Sequence, residues 1–582
     1  MTALPPLAPD AVATPPAAPL PRRVAQLPLR RPRGGMALRL ALRHTWYAVS
    51  ASIPGQSAFA PLRNRVFRAV WIGNAAAGLG TWLQNTGAGW LMTDLAPEPA
   101  MVAAVQAATT LPIFLLALPA GALADIIDRR LFLIGALALQ AASALGLAAL
   151  TLAGLTDAWT LLLFTLLIGV GNALSMPAWA AVTPELVPRE ELPQAIALHG
   201  MAFNGSRAVG PAIGGVVLAA VGAWACFAAN ALSYLPLIGA FAAWTRDPSS
   251  PQAREHFLSA LKAGLRYAGA TPGLQRLMLR AALLFAFASA PWALLPLIVR
   301  ASLGAGPETF GLLLGAMGLG AVSGGLLMPW IRSLMRPDMV VAAGGALASA
   351  AILTLGLGRH PAIAAGGMFA YGIVWIATIA TLQVAAQLSL PGWVRARALS
   401  LYQMAFFGAL TGGTLLWGWA GEIWGIAPAM SAAAIGGVAA AVIGLRVKLP
   451  AADAAPALPA GPSLAVPLPR ALHAASPERG PVVVTIRYVV PKEKTRSFLT
   501  LMEEVARCRR RDGAFAWRIL EDMQAEGEWL EMFCLERLGD YARHAARITS
   551  AEAALIARVA SLHQGEGPPE THLYLAPTRW RG

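Results

Sequence analysis

Charge is what this chain has least of. Of its 582 residues only 13% are Asp, Glu, Lys or Arg, against 57% hydrophobic, whereas soluble domains carry nearer a quarter charged residues. That shortage excludes an ordinary soluble protein and points to a bilayer as the solvent. Carboxylates are scarcer than cations, 30 against 45. Few of them lie deep in any apolar segment: Asp94, Glu98, Asp157 and Glu422 all stand near segment ends. Cysteine is nearly absent too. Cys226, Cys508 and Cys534 are too few for a disulfide framework. A formal charge of +15 could suggest a nucleic-acid partner, but the cations follow membrane topology, and no nucleic acid is expected.

What is present is a set of long uncharged runs. Leu131–Ala153 and Trp159–Ala181 are 23 residues each without a charge, and about 20 suffice to cross the hydrocarbon. Twelve such spans are expected, near 67–92, 100–124, 131–153, 158–181, 196–221, 224–244, 275–300, 308–331, 338–358, 362–388, 397–421 and 425–446. The alternate connections separate by charge. One set holds Arg129, Arg130, Arg189, Arg246, Arg254, Lys262, Arg266, Arg276, Arg280, Arg332, Arg336, Arg395 and Arg397; the other holds only Arg300 and Arg359. This positive-inside bias predicts that both termini are cytoplasmic, in a multi-pass membrane protein.

The chain divides accordingly. Residues 1–60 are Pro- and Ala-rich with scattered arginines and read as disordered. No apolar core with a cleavage site precedes the first span, so no signal peptide is expected, and Met36 is a second candidate start. Two six-span halves, 64–246 and 275–446, flank a polar cytoplasmic linker, 247–274, within which Arg254–Tyr267 has the pattern of an amphipathic surface helix. A slide of 203 residues pairs Pro188, Met201, Phe203, Gly205, Gly210, Gly215 and Gly222 with Pro391, Met404, Phe406, Gly408, Gly413, Gly418 and Gly425. Paired halves are the mark of a repeat-built transporter with its site between them. Beyond a Pro/Ala linker, 449–480, residues 481–582 change character. Strands at Pro481–Val490, Ala514–Asp522, Glu528–Leu535 and Thr571–Leu575 alternate with helices at Lys492–Arg511 and Leu538–Gln564. This is the βαββαβ order of a small cytoplasmic ferredoxin-like domain. Phe515, Trp517, Trp529 and Phe533 are its expected core. His544 and His563 read as solvated. There is no nucleophile with a base beside it and no metal-ligand spacing, so no catalytic residue, metal or cofactor is expected.

Two motifs carry chemistry. Gly121-Ala-Leu-Ala-Asp125-Ile-Ile-Asp128-Arg129-Arg130 stands between spans 2 and 3; glycine permits close helix approach, and the charges at the membrane edge can lock one conformation and release it in another. Gly205-Ser-Arg207-Ala-Val-Gly210-Pro211-Ala-Ile-Gly214-Gly215 lies inside span 5. Its proline removes a backbone hydrogen bond. Its arginine is expensive in hydrocarbon, ~2.5–3.5 kcal/mol on translocon scales, and so should face a wet cavity or a partner. Arg207 and Asn204, with Gln84, Asn85 and Gln403, are the expected cavity lining.

These motifs and the twelve spans resemble the major facilitator superfamily over about 64–446. The loop matches its G-x-L-a-D-r-x-G-r-k signature at Gly121, Leu123, Asp125, Arg129 and Arg130, and departs from it at Ile126 and Asp128. The second motif is similar to the G-x4-G-P-x-x-G-G of exporters, chiefly drug–proton antiporters, and implies outward transport. The arginine of proton-linked members, four residues before a G-x-G, is Thr165 here, so proton coupling is implied by the resemblance alone. Trp71 to Met92 and Pro177 to Leu198 look like the branch of siderophore exporters called transmembrane secretion effectors. The C-terminal segment is similar to the dimeric ferredoxin-like fold of antibiotic-biosynthesis monooxygenases, which implies a possible homodimer. The expected function is secondary export of a small organic molecule, siderophore-like or drug-like, by alternating access. An importer or lipid-moving relative on the same fold, and a transporter fused to a cargo-modifying enzyme, are the alternatives.

Overall fold

Backbone polar groups have no water to bond in hydrocarbon, so a chain of long apolar runs must satisfy them within helices. The computed structural model describes residues 57–245, 264–269, 271–390, 395–450, 479–541 and 550–575. The expected disorder of 1–60 and most of the two linkers therefore fall outside the described residues. Among the described residues the membrane part is built from α1 (Arg65–Leu95), α2 (Pro99–Ile126), α3 (Arg129–Leu152), α4 (Ala158–Leu186), α5 (Leu192–Val221), α6 (Ala223–Ser233), α7 (Leu235–Ala243), α8 (Pro272–Ala288), α9 (Ala290–Leu297), α10 (Pro307–Leu334), α11 (Pro337–Leu357), α12 (Pro361–Ser389), α13 (Arg395–Trp424) and α14 (Ile426–Arg446). Local chemistry sets their starts. Asn64 Oδ1 accepts from the Val66 and Phe67 amides, Asp128 from Leu131 and Asp157 from Thr160, as N-caps do. Pro99, Pro272, Pro307, Pro337 and Pro361 open theirs, where a missing N–H costs nothing.

Among the described residues ten segments are long and apolar enough to cross a membrane, α6–α7 counting as one and α8–α9 with the turn after it as another. The sequence predicts twelve. The two outside the ten are α1 and α5, of 31 and 30 residues, long enough at 1.5 Å per residue but diluted by polar groups. α1 carries Arg65, Arg68, Asn74, Gln84 and Asn85, and α5 carries His199, Asn204 and Arg207. The two pack on each other in the bundle.

With α6–α7 and α8–α9 each taken as one span, successive spans run in opposite directions and the loops fall into two sets. One holds Arg129, Arg189, Arg336 and Arg395, the other Arg300 and Arg359; we name them the Arg129 end and the Arg300 end. The repeat is visible in the backbone. Gly222 and Gly425, paired by the slide of 203, both adopt positive φ, 105° and 84°, and turn the chain alike between α5 and α6 and between α13 and α14. Arg280, expected in a connection, lies instead inside α8, 3% exposed, paired with the Asp338 carboxylate and donating to the carbonyl of Val447. It clamps α8 to the start of α11 and the end of α14.

The C-terminal part holds β1 (Val482–Val489), α15 (Thr495–Arg511), β2 (Phe515–Glu521), β3 (Glu528–Leu535), α16 (Ser550–Ala560) and β4 (Glu570–Leu575). The strands form one antiparallel sheet in the order β2-β3-β1-β4. Trp529 and Phe533 are in its core, as expected, but Phe515 is 41% exposed. A register shift between Phe515 and Arg518, with Ala516 at φ 51°, breaks the alternation that would have turned Phe515 inward.

Candidate functional site

The glycines of α5 face two ways. A Cβ on Gly210 would stand 2.7 Å from the Cβ of Trp82, and one on Gly214 3.2 Å from Thr86; both press against α1 in the same half. Gly215 faces the other half. A Cβ there would come within 2.9 Å of Gly311 Cα and of the Pro307 carbonyl oxygen on α10, and one on Gly311 within 2.6 Å of the Pro211 oxygen. Real Cβ atoms do not approach backbone so closely, so two facing glycines allow this crossing. The second half repeats the pattern. Gly413 faces Ala286 of α8, while Gly418 faces the Pro99 oxygen and Ala100 of α2, at 3.0 and 3.2 Å for its added Cβ. Thr110 and Thr411 share a hydrogen bond of 2.7 Å along the same line. The seams α5–α10 and α13–α2 are thus one contact made twice, and both join the halves toward the Arg300 end. Gly205 has open space. Below the crossing, toward the Arg129 end, Ile196, Met201 and Phe203 on α5 and Leu326 on α10 are exposed.

Between the halves lies a narrow, partly open cavity of about 40 Å³ in this structure. The first half lines it with Trp82, Asn85, Gly89, Val102, Val105, Gln106 and Thr109. The second contributes Pro291, Trp292, Leu295, Pro296, Phe310, Leu314, Met317 and Met368. None of these is charged. Trp82 and Trp292 face each other across the halves with ring centroids 6.4 Å apart, Trp90 and Phe310 do so at 6.0 Å, and Trp375 backs Trp292 at 5.6 Å. Planar walls with a few amides and a hydroxyl suit a ring-bearing ligand.

Of the five residues expected to line the cavity, the structure places Asn85 there. Gln84 is buried beside it and accepts from Asn230 at 3.3 Å. Asn204 donates to the Gly200 carbonyl one turn back, and Gln403 is half-buried on α13. Arg207 stands mid-helix, 7% exposed, its backbone against Gly318 of α10. Its Nε and Nη2 have no hydrogen-bond partner among the described residues, and Tyr371 lies within electrostatic reach. The aromatic walls carry no charge and no motif of their own, and Gly210 is the signal that could have found them, since the room it leaves is filled by Trp82.

The loop cluster ties the first half to itself. Asp128 caps α3, Arg129 pairs with Glu185 of α4 at 2.8 Å, and Arg130 donates to the Ala242 carbonyl of α7. Gly121 has open space around it; the Asp125 side chain lies outside the described set. In the C-terminal domain Glu531, wholly buried, accepts from Arg509 Nε at 3.1 Å, Trp517 Nε1 at 3.0 Å and the Tyr488 hydroxyl at 3.2 Å. Burial, reinforced by the Glu531 charge, pushes the Tyr488 phenol well above its usual pKa. His563 Nδ1 accepts from the Val489 amide, a structural use of the ring; His544 lies outside the described residues.

Two repeated half-bundles, crossing at matched glycines round an uncharged cavity, are the architecture of a membrane transporter of the major facilitator type. The chain belongs to the transmembrane secretion effector family, whose model matches residues 56–580. It is 30% identical over 162 residues to the staphyloferrin A transporter of Staphylococcus aureus, a stretch that is 27% of this chain and 40% of that protein. It is 31% identical over 229 residues to the enterobactin exporter EntS of Salmonella typhimurium, 39% of this chain and 50% of that one. The chain thus spans about half the length of the curated relatives it matches, or less. Among solved structures, an inward-facing, unoccupied bacterial homologue of the human lysosomal transporter Spinster superposes with a TM-score of 0.53 at 14% identity, covering 66% of this chain and 97% of that one. The nucleoside transporter NupG gives 0.55 at 13%, covering 66% and 99%. At those identities the likeness is one of fold. The family and the fold are those of transporters, not enzymes, in a multi-pass protein of a bacterial membrane.

Proposed function

We propose that this chain is a secondary exporter of a small organic molecule. It works by alternating access through twelve spans, α1 and α5 completing the ten, arranged as two six-helix halves of 64–246 and 275–446. The observation that carries the reading is the cavity between the halves, closed toward the Arg300 end by two equivalent glycine seams. Rocking of one half against the other would part those seams and bring the Arg129 ends together. The basic loops support a cytoplasmic Arg129 end, with both termini on that side and the cavity presented to the cytoplasm. Export follows from the family pattern in α5 and from the name of the enterobactin exporters it resembles. The aromatic walls Trp82, Trp292 and Phe310 favour cargo with aromatic rings once the halves part, and a siderophore-like or drug-like molecule meets that description. Arg207 is the group that takes up an anionic part of the cargo, or a partner on a moving helix, at a later stage. A proton is the coupling ion expected from the family, although few carboxylates lie deep in the spans to carry it. The loop Gly121, Asp125, Asp128, Arg129 and Arg130 anchors the cytoplasmic edge of the first half. Residues 481–582 form a ferredoxin-like domain, a reading supported by the strand order β2-β3-β1-β4, and a homodimer through it is the regulatory possibility.

The test has two parts. Untargeted comparison of the medium of a deletion strain with that of its parent should reveal a secreted metabolite lost on deletion. That compound, labelled, should accumulate in everted vesicles carrying the protein when an inward-acid gradient is imposed. Accumulation in intact cells instead would make the protein an importer and overturn the reading.

A further inference from the structure

Only two cations stand in the loops of the less basic end, Arg300 and Arg359, and one of them is spent on the boundary between the halves. Arg300 sits in a π-helical turn, Ile298–Ser302, that follows Pro296, the kind of rare turn that recurs at working sites. From the second half it reaches the last turn of α1 in the first. Its Nη1 donates to Thr93 Oγ1 at 2.9 Å and pairs with the Asp94 carboxylate. Thr93 is 2% exposed and donates its own proton to the Trp90 carbonyl at 2.7 Å, which leaves its oxygen turned to accept from Arg300. The cavity lies directly beneath: Gly89 is five residues before Asp94, Pro296 four before Arg300, and both line it.

We infer that Arg300 is a positioning residue for transport, an ionic latch that holds the Arg300 end of the cavity shut by gripping Thr93 and Asp94. The inference rests on the alternating-access reading. Opening that end moves the end of α1 away from the second half and must break both bonds. The side chains of Arg300 and Asp94 are 45% and 48% exposed, and ion pairs so exposed are weak and screened by salt. A latch that must break in every cycle has to be of that kind; a dry, buried pair would trap the closed state.

The test reads conformation, not cargo. The three native cysteines are replaced by alanine in the full chain, and Gln106→Cys is introduced as a reporter in the cavity wall. Its alkylation by a membrane-impermeant maleimide is timed in spheroplasts and in everted vesicles. With Arg300 and Asp94 intact the reporter should react from one face and be protected from the other. Arg300→Gln and Asp94→Asn should each raise the rate from the protected face, by about two- to fivefold, the range an exposed ion pair supports. The double reversal Asp94→Arg with Arg300→Asp should restore protection, which a merely misfolded protein would not do. Raising the salt from about 0.05 M to about 0.5 M should speed labelling in the native pair and leave Arg300→Gln unmoved. Sided protection that is indifferent to all three variants would overturn the latch while sparing the transport reading. A reporter that reacts from neither face in the native pair would deny the cavity any path to either side and sink the alternating-access reading itself.

Discussion

Gly210 has room for a hydrogen and nothing larger, because Trp82 fills the space its side chain would need. Gly210→Ala should therefore push α1 away and tilt one wall of the cavity, at about 1–3 kcal/mol for such overpacking. A lower melting temperature in detergent, together with slower export, is the expected outcome; unchanged values for both would remove Trp82 from the mechanism. Trp82→Ala should weaken apparent affinity for cargo more than Trp82→Phe, which keeps a ring, when concentration dependence is measured in everted vesicles. Arg207 makes a different prediction. A buried cation with two nitrogens unpartnered among the described residues is costly, so Arg207→Ala should leave expression and melting intact or improved while export falls at least tenfold. Export at the native rate would make it a packing residue. The depth of Arg207 was legible in the sequence, since spacing alone puts it mid-span. The role of Trp82 was not, because an uncharged aromatic in an apolar run looks the same whether it faces lipid, core or cavity.

Secondary structure followed the sequence where the period was strong. β3 has the predicted limits, Glu528–Leu535, and the helix after β1 ends at Arg511 as expected. The bulge in β2 was invisible, because one inserted residue alters no composition. The repeat told more than its individual glycines. The slide of 203 identified Gly215 and Gly418 as equivalent, but their partners, Gly311 and Pro99, lie on other helices, and no local pattern announces a contact between distant spans. In the small domain the three donors to buried Glu531 are an element-scale device, tying β1, α15 and β2 to β3. Glu531→Gln leaves Arg509 buried without its charge partner and should cost about 3–5 kcal/mol, read as early melting of this domain in hydrogen exchange. Tyr488 adds a pH dependence. Its phenol holds the proton more tightly folded than unfolded, so its contribution is complete below the free tyrosine value of about 10 and is lost as pH rises above it. Tyr488→Phe should flatten the alkaline fall in melting temperature between about pH 9 and about pH 11; an unaltered slope would place the sensitivity elsewhere.

For the whole molecule the proposed rocking needs two halves that meet only at narrow crossings, and the close contacts of Gly215 with Gly311 and of Gly418 with Pro99 are such crossings. Cores bistable enough to rock need contacts that are either fully made or fully parted, and glycine against backbone is such a contact. The charge shortage that excludes a soluble fold also leaves the cavity lining neutral, with Arg207 a buried exception on α5, while Arg129 and Arg300 stand at opposite ends. The measurement that tests this most directly uses two pairs of spin labels on α5 and α10, one at Val221 and Leu312 near the Arg300 end, the other at Ile196 and Leu326 near the Arg129 end, all exposed in this structure. Distances are read in lipid nanodiscs for the native chain and for Gly311→Ala, whose added methyl would stand 2.6 Å from the Pro211 oxygen and keep the seam from closing. Alternating access predicts that Val221–Leu312 lengthens in the variant while Ile196–Leu326 shortens. Distances that stay fixed, or that lengthen at both ends, would contradict it.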